Sequence, residues 1–290
     1  MFEKNNYTMK RAITLSIFAI AIAALISCTG NKSNKAGETS TPPTMQPVVK
    51  GTEITYYDGS TPLKGYIAYD ESLTGKRPGI LVVHEWWGNN DYSRMRANML
   101  AELGYVAMAV DMYGNGLILD NPKDAQNTAN QFYTNPALMK ERMLVAYNTL
   151  IADSLVNAER IAAIGYCFGG AVVQNSASMG VPLDAVVSIH GGLTGFKATP
   201  EMKNVNELIC HGGADPFVPQ ADIDNFKSEM QNMGVNYEFK VYEGATHAFS
   251  NKASTEAGKK FNMPISYNAA ADSASWSDMV TFFNKYFPAK

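Results

Sequence analysis

Three residues able to do nucleophilic chemistry follow one another along this chain: Cys167, then Asp215, then His247. Around the cysteine the chain reads Ala163-Ile-Gly-Tyr-Cys-Phe-Gly-Gly-Ala171, an apolar run that ends in Gly-x-Cys-x-Gly. That pattern suits a strand turning sharply into a helix, with the central residue in strained backbone geometry and its side chain exposed. Gly165 and Gly169 permit the turn because a larger side chain at either would strike the neighbouring strand or helix. Taken alone, the pentapeptide fits equally well a Gly-rich packing turn around an inert buried cysteine.

Two further strand-end signals favour chemistry. Leu208-Ile-Cys-His-Gly-Gly-Ala-Asp215 is a short apolar strand running into a loop with one acid. Tyr237-Glu-Phe-Lys-Val-Tyr242 alternates like a strand and leads to Glu-Gly-Ala-Thr-His247-Ala-Phe. Each interval is long enough for a helix between successive strands. Nucleophile, acid, histidine is the chain order of α/β-hydrolases.

The elements that must position these residues are readable too. Strands are predicted at Glu53–Tyr57, Leu63–Tyr69, Gly79–His84, Tyr105–Val110, Ile161–Tyr166, Ala185–Ile189, Glu207–Cys210 and Tyr237–Tyr242. Several are continuous apolar runs, as strands covered on both faces should be. The first two, split by Asp58-Gly59-Ser60, predict an antiparallel hairpin at the sheet edge. Helices are predicted at Tyr92–Leu103, Pro136–Asp153, Gly170–Ser178, Pro219–Met233 and near Ala270–Tyr286. The class is therefore α/β, with a mostly parallel sheet of about eight strands and helices on both faces.

Ligands bind beyond the carboxyl ends of such strands. His84, Asp111, Cys167, His190, Asp215 and His247 all fall there. The histidines raise the question of a metal, but no close His/Asp/Glu spacing of a zinc motif is present, so neither metal nor cofactor is expected. A net charge of −3, with no basic run outside the extreme N-terminus, gives no reason to expect nucleic acid as a partner. One substantial core, without internal repeats, is expected from 290 residues at 46% apolar composition, and a monomer with it.

The N-terminus is different material. Lys10-Arg11 precedes an apolar run from Ala12 to Ile26 that closes on Ser27-Cys28. The run reads as an export signal over residues 1–27 rather than a spanning helix. Leu25-Ile-Ser-Cys28 resembles the bacterial lipobox, in which the cysteine is lipidated and becomes the first residue; an ordinary signal peptide with a coincidental cysteine is the alternative. Met9 is an equally good start. Residues 28–50, rich in Ser, Thr, Pro, Gly and Lys, read as a flexible tether, and 51–290 as the catalytic domain. On this reading the protein is lipid-anchored in a bacterial cell envelope. Only Cys210 then remains, a small buried hydrophobe with no disulfide partner.

Gly-Tyr-Cys167-Phe-Gly-Gly, Asp215, Gly-Ala-Thr-His247-Ala-Phe and His84-Glu85-Trp-Trp-Gly88 together resemble the dienelactone hydrolase family of α/β-hydrolases, over nearly all of residues 51–290. The resemblance implies a Cys167–His247–Asp215 triad, with Glu85 holding the resting thiol and assisting its activation. It implies a hydrolase of small esters or lactones acting through a thioester. The oxyanion donors would be the backbone N–H groups of Phe168 and Trp86, although Trp86 and Trp87 are equally packing aromatics. The family's anionic-lactone enzymes carry arginines where this chain has Asn115 and Asn251. Both are expected at the substrate pocket with Tyr113 and His190, favouring neutral substrates. Arg94, Arg96 and Arg142 read as solvated helix faces. A peptidase, a carbohydrate-ester deacylase or a non-catalytic ligand-binding lipoprotein would fit the same scaffold.

Overall fold

Runs with no polar alternation, such as Ala185–Ile189, become strands in which every residue is buried. Burial of both strand faces demands helices above and below the sheet. The computed structural model of the protein describes residues 46–289 and shows that arrangement. The strands are β1 (Val49–Asp58), β2 (Thr61–Asp70), β3 (Arg77–Val83), β4 (Val106–Val110), β5 (Val156–Tyr166), β6 (Ala185–Ile189), β7 (Asn206–Gly212) and β8 (Asn236–Tyr242). The helices are α1 (Asp91–Glu102), α2 (Pro122–Tyr133), α3 (Pro136–Ile151), α4 (Phe168–Ser178), α5 (Gln220–Met233), α6 (Ser254–Phe261) and α7 (Ala269–Tyr286). The expected signal segment 1–27, Cys28 and most of the expected tether lie outside the described residues. No described helix is long and apolar enough to cross a membrane.

The eight strands form one sheet in the order β1-β2-β4-β3-β5-β6-β7-β8. The β1–β2 hairpin is antiparallel and lies at the edge, as predicted. β2 joins β4 antiparallel, and all later neighbours are parallel. The parallel strands bring the loops that carry Glu85, Cys167, His190, Asp215 and His247 to one side of the molecule. One apolar layer packs α1 and α7 on the sheet through Leu100, Met279, Phe282 and Phe283. The other packs α2 to α5 through Phe132, Met143, Val173 and Phe226.

Two helices were not predicted. α2 opens on an Asn121–Pro122 cap, the Asn121 side chain accepting the N–H of Asp124, and buries only Ala125, Ala129 and Phe132. α6 buries only Ser254 and Gly258, so it has no apolar stripe to read. The arginines also depart from expectation. Arg142 is buried and pairs with Asp58 at 2.9 Å. Arg96 is buried between the Tyr92, Tyr166 and Trp276 rings and pairs with Asp272. A buried arginine needs such a carboxylate, and both partners come from distant segments. Only Arg94, paired with Glu53 at 2.7 Å, keeps a partly solvated position.

β5 becomes α4 through the single residue Cys167. A Cβ on Gly165 would lie 2.0 Å from the Gly169 carbonyl oxygen, and one on Gly169 would lie 2.3 Å from the Val83 carbonyl oxygen. Both obstacles are backbone, which cannot give way as a side chain would. Gly165→Ala should therefore cost about 3 kcal/mol or more of unfolding free energy. Gly192→Ala, with nothing within 4 Å of its Cβ, should be near neutral. Denaturant melts of the two variants check this; equal midpoints would contradict the packing described.

Candidate active site

Cys167 adopts φ 55° and ψ −113° between β5 and α4. Non-glycine residues avoid this region, at a cost of about 1–3 kcal/mol. His190 (φ 42°) and Ala248 (φ 57°) are in the same condition. The three strained residues flank one another's loops at the carboxyl ends of β5, β6 and β8.

The loops after β7 and β8 are stitched together before any side chain takes part. Gly213 N–H donates to the Tyr242 carbonyl at 2.8 Å and Ala214 N–H to the Ala245 carbonyl at 2.9 Å. This brings Asp215 to His247. Asp215 Oδ2 lies 2.7 Å from His247 Nδ1, and Asp215 Oδ1 accepts the Phe217 N–H at 2.9 Å. His247 Nε2 lies 3.0 Å from Cys167 Sγ. An ionised carboxylate only accepts, so Nδ1 carries a proton and Nε2 faces the sulfur. Burial by itself disfavours a charged His247, but the Cys167 charge and the Asp215 hydrogen bond outweigh it and hold the imidazole well above its ordinary pKa. The triad side chains named from the sequence thus meet in one line of hydrogen bonds.

Glu85 is buried beside this line. Its Oε2 accepts the Asn251 amide at 2.6 Å, and its Oε1 has no partner among the described residues. Burial pushes its pKa up to about 7, against the Asn251 hydrogen bond and the His247 and Arg96 charges. The thiol points to His247 rather than being held by Glu85.

Gly169 N–H donates to the His84 carbonyl at 3.1 Å, tying α4 to the loop after β3, the two segments that carry the Phe168 and Trp86 N–H groups named from the sequence. Neither the Phe168 nor the Trp86 N–H has an acceptor among the described residues. Tyr113 holds the second loop from below, its hydroxyl donating to the Trp86 carbonyl at 2.9 Å and its ring packing on Phe168. His84 bonds the Glu85 carbonyl through Nδ1 at 2.5 Å and accepts the Met112 N–H at Nε2. Trp86 and Trp87 meet edge-on, and Trp87 stacks on Phe261, so both also serve packing.

Four expected pocket contacts are placed otherwise. Asn251 is committed at both ends, its amide to Glu85 and its oxygen to the Ala253 N–H at 2.9 Å. Asn115 is an exposed turn residue at φ 59°, a conformation asparagine tolerates, with its N–H on the Pro62 carbonyl. Tyr113 spends its hydroxyl on the Trp86 carbonyl, as above. His190 is fully buried behind Cys167, bonded to the Cys167 N–H and to Ser250. Two aromatics missed in the sequence do border the site. Phe217 is half exposed and meets His247 edge-on with ring centroids 5.3 Å apart, and Tyr133, at the end of α2, is exposed and packs on Phe168 with ring centroids 5.7 Å apart. Spacing alone held no signal for either. A cavity of about 430 Å³ opens at the opposite end of the strands beside Tyr147, Val181 and Asp184, and shares no residue with Cys167, Asp215 or His247.

The Asn251 amide favours the ionised form of Glu85, so removing it should raise the carboxyl pKa further. A ¹³C-carboxyl NMR titration should show Glu85 with a midpoint near 7, and higher in Asn251→Leu. A wild-type midpoint at the ordinary glutamate value of about 4.3 would contradict the burial described.

Comparison with known proteins gives the same picture. The model of the dienelactone hydrolase family matches residues 63–287. The protein usf of Aquifex pyrophilus is 26% identical over 241 residues, covering 81% of this chain and 99% of that one. A dienelactone hydrolase-like promiscuous phosphotriesterase from metagenomic libraries superposes with a TM-score of 0.77 at 32% identity, covering 82% of this chain and 98% of its own. The structure of m3DLH gives the same TM-score at 34% identity, covering 82% and 99%. A family model spanning nearly the whole sheet and relatives aligned along their full length agree with the strand order and loop placement, and the chain belongs to the dienelactone hydrolase family of α/β-hydrolases, a hydrolase of dienelactone hydrolase type.

Proposed function

We propose that this chain hydrolyses neutral esters or lactones through a thioester on Cys167, and that it does so as an exported protein held to a membrane by lipid on Cys28. The observation that carries the catalytic part is the unbroken line from Cys167 Sγ to His247 to Asp215, at 3.0 and 2.7 Å.

A free thiol near neutral pH is mostly protonated and a weak nucleophile in that form. His247 takes the thiol proton, and Asp215 stabilises the imidazolium that results. The sulfur attacks the substrate carbonyl carbon, and negative charge gathers on the carbonyl oxygen. Donors already in place for that charge cost no reorganisation during the reaction, and we assign the Phe168 and Trp86 N–H groups to this role. The C–O bond to the leaving alcohol then breaks, with His247 returning its proton to the alkoxide. Water, deprotonated by the same imidazole, cleaves the thioester and regenerates the thiol. Glu85, with one oxygen unpartnered, is assigned as a second acceptor for the thiol when it turns away from His247.

Substrate charge follows from where the cations are. Arg94, Arg96 and Arg142 are each committed to a carboxylate away from the triad: Glu53, Asp272 and Asp58. Asn115 and Asn251 supply no charge in their place. A carboxylate brought to Cys167 would lose water without gaining a charged partner. The aromatic rings of Phe217 and Tyr133 at the border suit an uncharged group.

Cys167→Ala should fold normally and lose about 10⁴-fold or more in kcat/KM. Wild type should favour an aryl ester whose acyl chain ends in a methyl-capped carboxyl over the same aryl ester with that carboxyl free, by about 10-fold or more in aryl release. Unchanged hydrolysis by Cys167→Ala would overturn the mechanism, and equal kinetics on the two substrates would overturn the charge preference. For the anchor, Cys28→Ser should move the protein from the membrane to the soluble fraction of expressing cells and abolish palmitate labelling. Membrane retention with labelling intact would contradict a lipid on Cys28.

A further inference from the structure

Behind the nucleophile runs a buried polar chain for which the reaction described above has no use. Cys167 N–H is shared between the Ile189 carbonyl at 3.0 Å and His190 Nδ1 at 3.1 Å. His190 Nε2 lies 2.7 Å from Ser250 Oγ, which lies 2.6 Å from the Tyr92 hydroxyl. Arg96 closes the far end, its guanidinium donating to the Ser250 carbonyl at 2.8 Å and to the Tyr92 oxygen at 3.3 Å, and pairing with Asp272. His190, Ser250 and Arg96 are all buried. The chain joins the loops after β5, β6 and β8 to α1 and α7 through side chains.

The proton count is constrained. A backbone N–H only donates, so His190 Nδ1 must offer a lone pair, and a neutral ring then carries its proton on Nε2, toward Ser250. Burial, with the nearby His247 and Arg96 charges, holds His190 well below its ordinary pKa, which keeps that tautomer neutral. The His190 ring also lies 5.5 Å from the His247 ring, so a second cation there would oppose the imidazolium formed during turnover.

We infer that His190, oriented by Ser250, is a positioning residue that fixes the strained backbone of Cys167 and so aims its sulfur at His247 and its oxyanion donors at the substrate. The inference rests on Cys167 being the nucleophile. It assigns His190 no contact with substrate. Strained backbone persists only where its surroundings over-determine it, and here Cys167 and His190, both at positive φ, are tied to each other. A misplacement of about 1 Å at a reacting atom is enough to cost on the order of 10²-fold in rate.

The test uses the full chain with para-nitrophenyl acetate as probe. Ser250→Ala, which releases His190 without altering it, should lower kcat about 10-fold with KM within about twofold. His190→Phe keeps a ring but removes the acceptor, and should lose about 10²-fold in kcat. His190→Asn restores an acceptor near the Nδ1 position and tolerates positive φ, so it should recover much of that loss. Iodoacetamide alkylation of Cys167 should slow in the same order. Should His190→Phe fail to fold, Ser250→Ala and His190→Asn still decide. A folded Ser250→Ala protein with wild-type kcat, or a loss confined to KM, would overturn the positioning role. Turnover persisting in Cys167→Ala would instead overturn the nucleophile assignment itself.

Discussion

The structure turns on one backbone constraint: β5 must become α4 within a single residue, with Gly165 and Gly169 pressed against neighbouring backbone. No regular conformation makes that turn, so Cys167 is forced to φ 55°. The same geometry puts its side chain at the end of the helix and sheet, where the loops after β7 and β8 can reach it. Strain at this position is a consequence of the packing of two elements, and it is also what exposes the sulfur. A looser turn would relieve the cost and bury the sulfur.

Around that point the charges are arranged by partnership. His247 sits between an acid that holds one nitrogen and a sulfur that faces the other, and the pair outweighs the burial that would keep the ring neutral. His84 and His190, equally close to the strand ends, go the other way. Burial pushes His84 down to about 4, and His190 is held neutral between two hydrogen bonds. His247, hydrogen-bonded to a carboxylate, is thus favoured as the cation, whereas His84 and His190, hydrogen-bonded to no carboxylate, are favoured as neutral rings. The buried arginines follow the same logic. Arg96 and Arg142 are held by Asp272 and Asp58 and take no part in lining the triad.

What was legible in the sequence follows from what is local. Strands buried on both faces announce themselves as unbroken apolar runs, so β3, β4 and β6 were readable, and the order of cysteine, acid and histidine at three strand ends picked out side chains that meet in one line of hydrogen bonds. Orientation was not readable where it depends on a distant partner. Asn251 is turned inward by Glu85, 166 residues away, and His190 by Ser250, 60 residues away. Arg142 on α3 looks like a solvated face until β1 is seen to bring Asp58 beside it. α2 and α6 bury so few side chains that their periodicity is faint, and with α2 went Tyr133.

The central claim is that the strained cysteine carries the acyl group. Mass spectrometry of enzyme quenched in acid during turnover of a neutral aryl ester tests it directly. The account predicts an acyl-sized mass increase confined to the peptide containing Cys167, which disappears as substrate is exhausted and never forms in Cys167→Ala. Steady turnover with no adduct on that peptide, or with an adduct on another residue, would contradict it.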